Sequence, residues 1–395
     1  MIQISSKADC CGCSACSNIC GHQAITMKSD SEDFLYPSVN MKLCTNCGLC
    51  EKVCPIINKK EEQQFHQKAY LVQHKDPKIL RESTSGGAFT AIAAYILKKG
   101  GVVFGAAFDE QFRVVHTSVE DEKELYKFRN SKYVQSDLGD TFRQVRSILK
   151  TGRLVCYSGT PCQIEGLKSF LMKDYDNLYM VDVVCRAVPS PMIWEKYKCF
   201  VSEGSQIKSA YFRDKRQYGY DYSQLSVKTN LKNYHHGVES DPYLRAFFSG
   251  LSVRPSCYAC AFKKRYRVSD LTIWDCFDPS KMDKSLDNNG GVTRILVQSE
   301  KGALLTSEIL DSFQYKEVPP ERVLAGVREM FHAASMNPRR KEFFEDARSM
   351  EEEAFFKKYF PDSMKVKAER LIRHSSEKLG IYRFVKRTAK KILGK

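Results

Sequence analysis

Long apolar runs are missing from this sequence. The longest nearly unbroken one, Ala88–Leu97, is about half the ~18 residues that a bilayer-spanning helix needs, which excludes an integral helical membrane protein. The opening residues, MIQISSKADC, lack the basic-then-apolar order of a secretory signal, so a cytoplasmic location with a reducing environment is expected. No G-x-G-x-x-G occurs, so a Rossmann dinucleotide fold is not invoked. No pattern of a known nucleic-acid module is present either, and no nucleic-acid partner is expected.

What is there is a globular chain of 395 residues, 43% apolar and 28% charged, long enough for two or three domains. It holds sixteen cysteines. In a reducing compartment these favour metal ligation or redox chemistry over disulfides. The net charge is +15, but Met364–Lys395 alone carries eleven Lys/Arg against two Glu. The basic excess therefore belongs to the tail, and the body has an ordinary balance.

Hydrophobic patterning divides the chain into residues 1–58, rich in cysteine, a polar linker over 59–68, a body over 69–318 and a helical C-terminal region over 319–395. Within the body, apolar β-branched runs at Tyr70–Gln73, Val102–Phe108, Leu154–Tyr157, Leu178–Val184, Leu271–Ile273 and Ile295–Val297 predict strands. Helix-period segments at Ala88–Lys98, Thr141–Leu149, Pro161–Leu171, Pro191–Val201 and Ala303–Phe313 fall between several of them. The alternation predicts an α/β domain with a mixed, largely parallel sheet, following a ferredoxin-like α+β module and preceding a helical basic tail. Residues 206–236 predict a hairpin-like insertion around the loop Gln217–Tyr222.

The decisive pattern is duplicated. Cys10, Cys13, Cys16 and Cys20 are spaced C-x2-C-x2-C-x3-C, and Cys44, Cys47, Cys50 and Cys54 repeat it with Pro55 behind. Three thiolates on a tight loop cap three irons of a cubane, and the fourth cysteine of each run serves the other cluster. This predicts one 4Fe-4S cluster on Cys10, Cys13, Cys16 and Cys54, and a second on Cys44, Cys47, Cys50 and Cys20. Two zinc sites would need only CxxC pairs and no duplicated ladder. Cys11 is left over as a non-ligand.

With these runs, Ala24–Met27, Phe34–Pro37, Ser85-Gly-Gly-Ala-Phe89, Gly159-Thr-Pro-Cys-Gln163, Val188-Pro-Ser190, Arg254-Pro-Ser-Cys-Tyr-Ala-Cys260, Val268-Ser-Asp270 and Asn289-Gly-Gly-Val292 follow in order. Together they resemble the coenzyme F420 hydrogenase/dehydrogenase beta-subunit family, with a ferredoxin-type front, over about residues 5–310. The resemblance implies an iron–sulfur flavoprotein oxidoreductase. Such a protein passes electrons between 4Fe-4S clusters and FAD, which exchanges two electrons with a carrier or small-molecule substrate. It also implies a redox partner protein such as a ferredoxin or a hydrogenase/dehydrogenase subunit. Ferredoxin-fused relatives often accompany polysaccharide assembly.

Two loops suit a flavin. Ser85, Gly86 and Gly87 precede the helix from Ala88, where free backbone donors favour an anion, although an ordinary cap would look the same. Ser158, Gly159 and Thr160 close a strand ahead of a helix opened by Pro161, at the carboxyl edge where α/β sheets bind ligands. Cys162 and Cys185 stand at such strand ends, Cys257 and Cys260 form a ligand-spaced pair, and all four match family cysteines. They predict a third 4Fe-4S cluster beside the flavin, against a reading as buried small hydrophobes and a lone pair. Cys156, Cys199 and Cys276 are expected to be packing residues. The family often has His-Gly after position 185 and Gly-Asp-Phe-Trp-Gly after Val-Ser-Asp. Here stand Arg186-Ala187 and Ile273-Trp-Asp-Cys-Phe-Asp278, which keep the acid at Asp275, counted with the flavin residues, but lose both glycines. That weakens the case for the deazaflavin coenzyme as substrate. Arg186, Lys263, Lys264, Arg265 and Arg267 predict either an anion site or a solvated basic face. In the tail, Leu371, Ile372, Leu379, Ile381, Tyr382, Phe384, Val385, Ile392 and Leu393 are interleaved with basic residues, and Gly380 should split two helices. Such a segment either touches an anionic membrane surface peripherally or packs its apolar face on the body.

Overall fold

Thirteen strands build three sheets. In chain order they are β1 Ile25–Ser29, β2 Leu35–Val39, β3 Ala69–His74, β4 Val102–Phe108, β5 Val114–Val119, β6 Val155–Gly159, β7 Leu178–Val183, β8 Ile207–Asp214, β9 Gln224–Thr229, β10 Asn233–His236, β11 Leu271–Asp275, β12 Thr293–Val297 and β13 Phe313–Val318. The computed structural model describes residues 1–392; Leu393, which the sequence assigns to the apolar set of the tail, lies outside them.

The central sheet runs β13-β3-β12-β11-β7-β6-β4-β5. Its middle, β11-β7-β6-β4, pairs in parallel, and the flanking pairs are antiparallel. Strands β3, β4, β6, β7 and β11 thus point one way, and their carboxyl ends form one edge. The middle strands read as nearly unbroken apolar runs because both faces are covered. On β4 and β6, Val102, Phe104, Val155 and Tyr157 face a core with Phe142, Ile164, Leu167 and Phe170. Val103 and Cys156 turn to the opposite core with Ile92, Ile96, Leu305 and Ile309. The N-terminal segment docks on the first of these layers, where Cys11, Cys13, Ala15 and Ile19 join the same core.

The insertion is a three-stranded antiparallel sheet, β10-β9-β8, rather than one hairpin. It packs with an aromatic core including Trp194, Tyr197, Phe212, Tyr243, Phe343 and Phe356. Two strands escape the sequence pattern. β5 carries His116, Thr117 and Ser118 mid-strand, and β13 buries only Phe313 and Val318. Both are edge strands, so one-sided burial erases the apolar run that marks the central ones. The predicted helix Ala303–Phe313 is corrected to Glu300–Ile309, after which Phe313 opens β13. Beyond β13 the chain is helical, and Gly380, at φ +70°, separates Met364–Lys378 from Tyr382–Ile392. Among the described residues no helix is long and apolar enough to cross a membrane.

Candidate metal centres

The two cysteine ladders share a backbone conformation as well as a spacing. The third and fifth residues of each loop are left-handed: Gly12 (φ +71°) and Ser14 (+58°) in the first, Asn46 (+53°) and Gly48 (+77°) in the second. Such residues curl the chain so that successive N–H groups face inward, towards bound sulfur. A short helix follows each loop, Ala15–Ile19 and Leu49–Lys52, and sets Cys20 and Cys54 just past its end.

Cys20, Cys44, Cys47 and Cys50 line one recess, together with Met1, His22 and Ala24. The backbone N–H of Ile2 donates to Cys50 Sγ at 3.2 Å and that of Ala24 to Cys20 Sγ at 3.3 Å. Cys10, Cys13, Cys16 and Cys54 form the other set. Burial pushes the Cys16 thiol up to about 12, and the sulfurs of Cys10 and Cys54 add to it. Cys10 is raised by burial and by Cys54, and opposed by Arg254. Thiols held this way lose their protons to a metal rather than to water. Each set takes its fourth member from the other ladder. Four cysteines lining one recess, as Cys20, Cys44, Cys47 and Cys50 do, suit a cubane whose thiolates cap separate irons.

The third cysteine set, Cys162, Cys185, Cys257 and Cys260, lines a cavity of its own, the third cavity. Cys162 lies in the first turn of the helix Pro161–Leu171, Cys185 lies two residues past β7, and Cys257 sits within the turn Pro255–Ala259 with Cys260 just after it. Burial pushes Cys257 up to about 12, with Cys162 and Cys260 contributing. Thr160 Oγ1 stands 3.1 Å from Cys162 Sγ.

Two residues at this cavity were not expected there from the sequence. Cys11 lines it and touches the side chains of both Cys13 and Cys162, so it sits between the first ladder and the cavity. Arg254 also lines it and is fully buried. Its Nε donates to the Cys10 carbonyl (2.9 Å), Nη1 to Gln135 Oε1 (2.8 Å) and Nη2 to the Leu35 carbonyl (3.0 Å). Its position in the Arg-Pro-Ser-Cys run was the available signal. The neighbouring contact is as close: a Cβ on Gly166 would lie 2.9 Å from Cys13 Sγ.

The residues read as flavin ligands gather at the carboxyl edge, in two groups. Ser85 Oγ donates to the Val292 carbonyl (2.5 Å) and Gly86 N to Thr293 Oγ1 (2.8 Å). A Cβ on Gly86 would meet the Val72 carbonyl at 2.1 Å, so this glycine serves a close strand approach. Gly87 (φ +83°) caps the helix Ala88–Lys98. Asp275, opposite Thr293 across β11–β12, pairs with Arg213 at 3.0 Å. Lys215 is buried beside them, donating to the carbonyls of Ser85 (2.7 Å) and Gly290 (2.5 Å). Burial draws its ammonium down to about 7. Tyr220, whose buried hydroxyl has no hydrogen-bond partner among the described residues, lies below both cations. Ser158, Gly159 and Thr160 form the second group, two strands away. Thr160 shares a capping box with Gln163, and the Ser158 carbonyl lies 2.9 Å from His116 Nε2.

Three of the basic set, Arg186, Lys263 and Arg267, line the third cavity with its four cysteines, and each member of the set has a partner within the protein. Arg267 pairs with Asp182 at 3.2 Å, Lys264 with Glu165, Arg265 with Glu321 at 2.9 Å and Arg186 with Glu329 at 3.0 Å, while Lys263 donates to the Glu329 carbonyl at 2.9 Å. Cys156 and Cys276 are buried as expected; Cys199 is corrected, since it lies exposed on the outer face of its helix.

Three family models match in chain order. They are the 4Fe-4S dicluster domain over residues 9–56, the N-terminal domain of the coenzyme F420 hydrogenase/dehydrogenase beta subunit over 69–142, and its C-terminal domain over 152–322. No curated protein matches. Among solved structures, a chain of the F420-reducing [NiFe] hydrogenase complex from Methanosarcina barkeri is 15% identical, with a TM-score of 0.43, over 76% of this chain and 94% of that one. An iron–sulfur front joined to both halves of one oxidoreductase subunit identifies the chain as a member of the coenzyme F420 hydrogenase/dehydrogenase beta-subunit family.

Proposed function

We propose that this chain is an iron–sulfur flavoenzyme that moves electrons through three 4Fe-4S clusters to or from FAD. The clusters are assigned to Cys10, Cys13, Cys16 and Cys54; to Cys20, Cys44, Cys47 and Cys50; and to Cys162, Cys185, Cys257 and Cys260. The observation that carries this reading is the abutment of two cysteine sets through Cys11, which touches Cys13 on one side and Cys162 on the other. Centres that share a wall exchange single electrons readily, whereas structural staples need no such adjacency. The second set lies nearest solvent: Cys47 is exposed, and Met41, Leu43 and Leu49 beside it are exposed apolar residues. That rim suits a redox partner protein, such as a ferredoxin or a hydrogenase/dehydrogenase subunit.

The flavin is placed along the carboxyl edge, next to the third cavity, where it supplies the step between one-electron and two-electron chemistry. Arg213 and Lys215 bring buried positive charge to that edge, and Asp275 orients Arg213. The donors of Ser85 and Gly86 are engaged within the protein, as are those of Lys215 and Arg213, so the two cations offer anionic parts of the cofactor or carrier their charge rather than free donors. Trp274 and Asp278 stand where relatives often have glycine, and that added bulk on either side of Asp275 favours a two-electron carrier other than the deazaflavin coenzyme. A role in polysaccharide assembly rests on the resemblance alone.

Anoxic purification tests the scheme. Full occupancy gives about twelve irons and one flavin per chain. Cys257→Ser should remove about four irons while preserving the paramagnetic signals of the first two clusters. Unchanged iron in that variant, or flavin-free protein, would overturn the assignment.

A further inference from the structure

The two C-terminal helices lie with their polar side towards the protein and their apolar side outwards. Along Met364–Lys378 the inward residues are Arg373, His374 and Ser376. Arg373 lies 3.7 Å from Glu239 and donates to Tyr382 Oη at 2.9 Å. The His374 ring packs 5.3 Å from that of Tyr218 and 5.8 Å from that of Tyr222, and Ser376 is buried. In the second helix, Arg383 and Lys386 pair with Asp221, and Arg383 also reaches Asp287 at 3.1 Å. The body thus offers carboxylates and tyrosine rings where an amphipathic helix ordinarily meets a greasy floor, and ion pairing has claimed the basic face. Of the apolar set of the tail, Tyr382 packs on the body beside Tyr222, while Leu371, Ile372, Leu379, Ile381 and Phe384 face outwards.

The outward side is largely apolar, with Ala368 and the exposed Ser375 set among the large side chains. Met364, Leu371, Ile372 and Leu379 follow the 3.6-residue period onto one stripe, and Ile381 and Phe384 extend it past Gly380. Leu371 is 67% exposed, Ile372 56%, Leu379 71% and Phe384 72%. At 100° per residue, Lys365 falls on one flank of the stripe and Lys367 and Lys378 on the other, all exposed. Neither Glu369 nor Glu377 falls on it. A convex apolar ridge between rows of ammonium groups fits an anionic surface that yields to single side chains. It does not fit a second copy of the same tail, whose charge has the same sign.

We propose that this helix pair is a membrane-surface anchor, which seats the Met364–Phe384 ridge among the acyl chains of an anionic leaflet with its lysines at the phosphates. The proposal is independent of the cluster and flavin assignments. Flotation of the full-length protein with vesicles tests it. The protein should float with phosphatidylcholine vesicles containing about 30% phosphatidylglycerol, and stay down with phosphatidylcholine alone. The triple variant Leu371→Ser, Ile372→Ser, Phe384→Ser alters only exposed positions, so it keeps its fold and its circular dichroism. Its bound fraction should fall about tenfold. Charge reversal at Lys365, Lys367 and Lys378 should do the same. Failure to float with the anionic vesicles, or equal flotation of the triple variant, would overturn the anchor. So would concentration-dependent self-association of the wild type that the triple variant abolishes without vesicle binding.

Discussion

Arg254 shows how much one side chain organises here. A planar guanidinium has five donors in a fixed fork, and this one spends them on the Cys10 loop, Gln135 and the β1–β2 segment at once. Its charge also lies 4.2 Å from the centre of the Tyr36 ring. Arg254→Met fills similar volume but strands one buried and two half-buried acceptors. It should lower the unfolding free energy by roughly 2–4 kcal/mol, read from anoxic denaturant midpoints. Asp241 works by a different balance. Burial pushes its carboxyl up to about 7, although Tyr197, Tyr234 and the Leu244 N–H all donate to it. The folded state therefore keeps a proton that the unfolded chain has lost between about pH 4 and pH 7. Stability should decline as pH rises through that window and level off above it. Asp241→Asn mimics the protonated acid, so its stability relative to wild type should climb over the same interval, measured by denaturation at about pH 5 and pH 8.

Among the elements, the helix Pro161–Leu171 does two jobs. Its first turn presents Cys162 to the third cavity, and its middle, at Gly166, lies against Cys13. Gly166→Leu should push the first cysteine loop away. The expected result is loss of about four irons with the Cys20–Cys50 set retained, assayed by iron analysis and paramagnetic resonance. The strands teach the converse. β4 and β6, covered on both faces, are plain in the sequence as apolar runs. β13 is not, because four of its six residues face solvent. Element type is legible where burial is two-sided and fades at the edges of the sheet.

Across the whole molecule, the N-terminal segment is held by scattered polar clamps as well as by its apolar seam. Arg143 donates to the carbonyls of Ser17, Asn18 and Cys20, closing the end of the helix Ala15–Ile19, and Arg340 forks onto Glu32. These clamps press Cys11 into the wall of the third cavity. If Cys11 is a spacer and not a ligand, Cys11→Ala should keep about twelve irons per chain, whereas Cys162→Ala should lose about four. Equal losses in the two variants would make Cys11 a ligand.

The spacing of the two ladders determines by itself that the chain holds paired cluster motifs, because a cubane demands thiolates at short, fixed intervals on a tight loop. The order of the later motifs likewise points to the family, and two-sided burial marks most of the sheet. Only the tertiary structure decides how distant residues meet. Cys11 and Arg254 gain their places from the docking of a segment more than 240 positions away in sequence. Lys215 and Tyr220 reach the carboxyl edge through an inserted sheet. The tail turns its apolar stripe outward because Asp221, Glu239 and Asp287 capture its basic face first. Local periodicity reports that a helix has two sides; which side faces the protein depends on what the rest of the chain places beneath it.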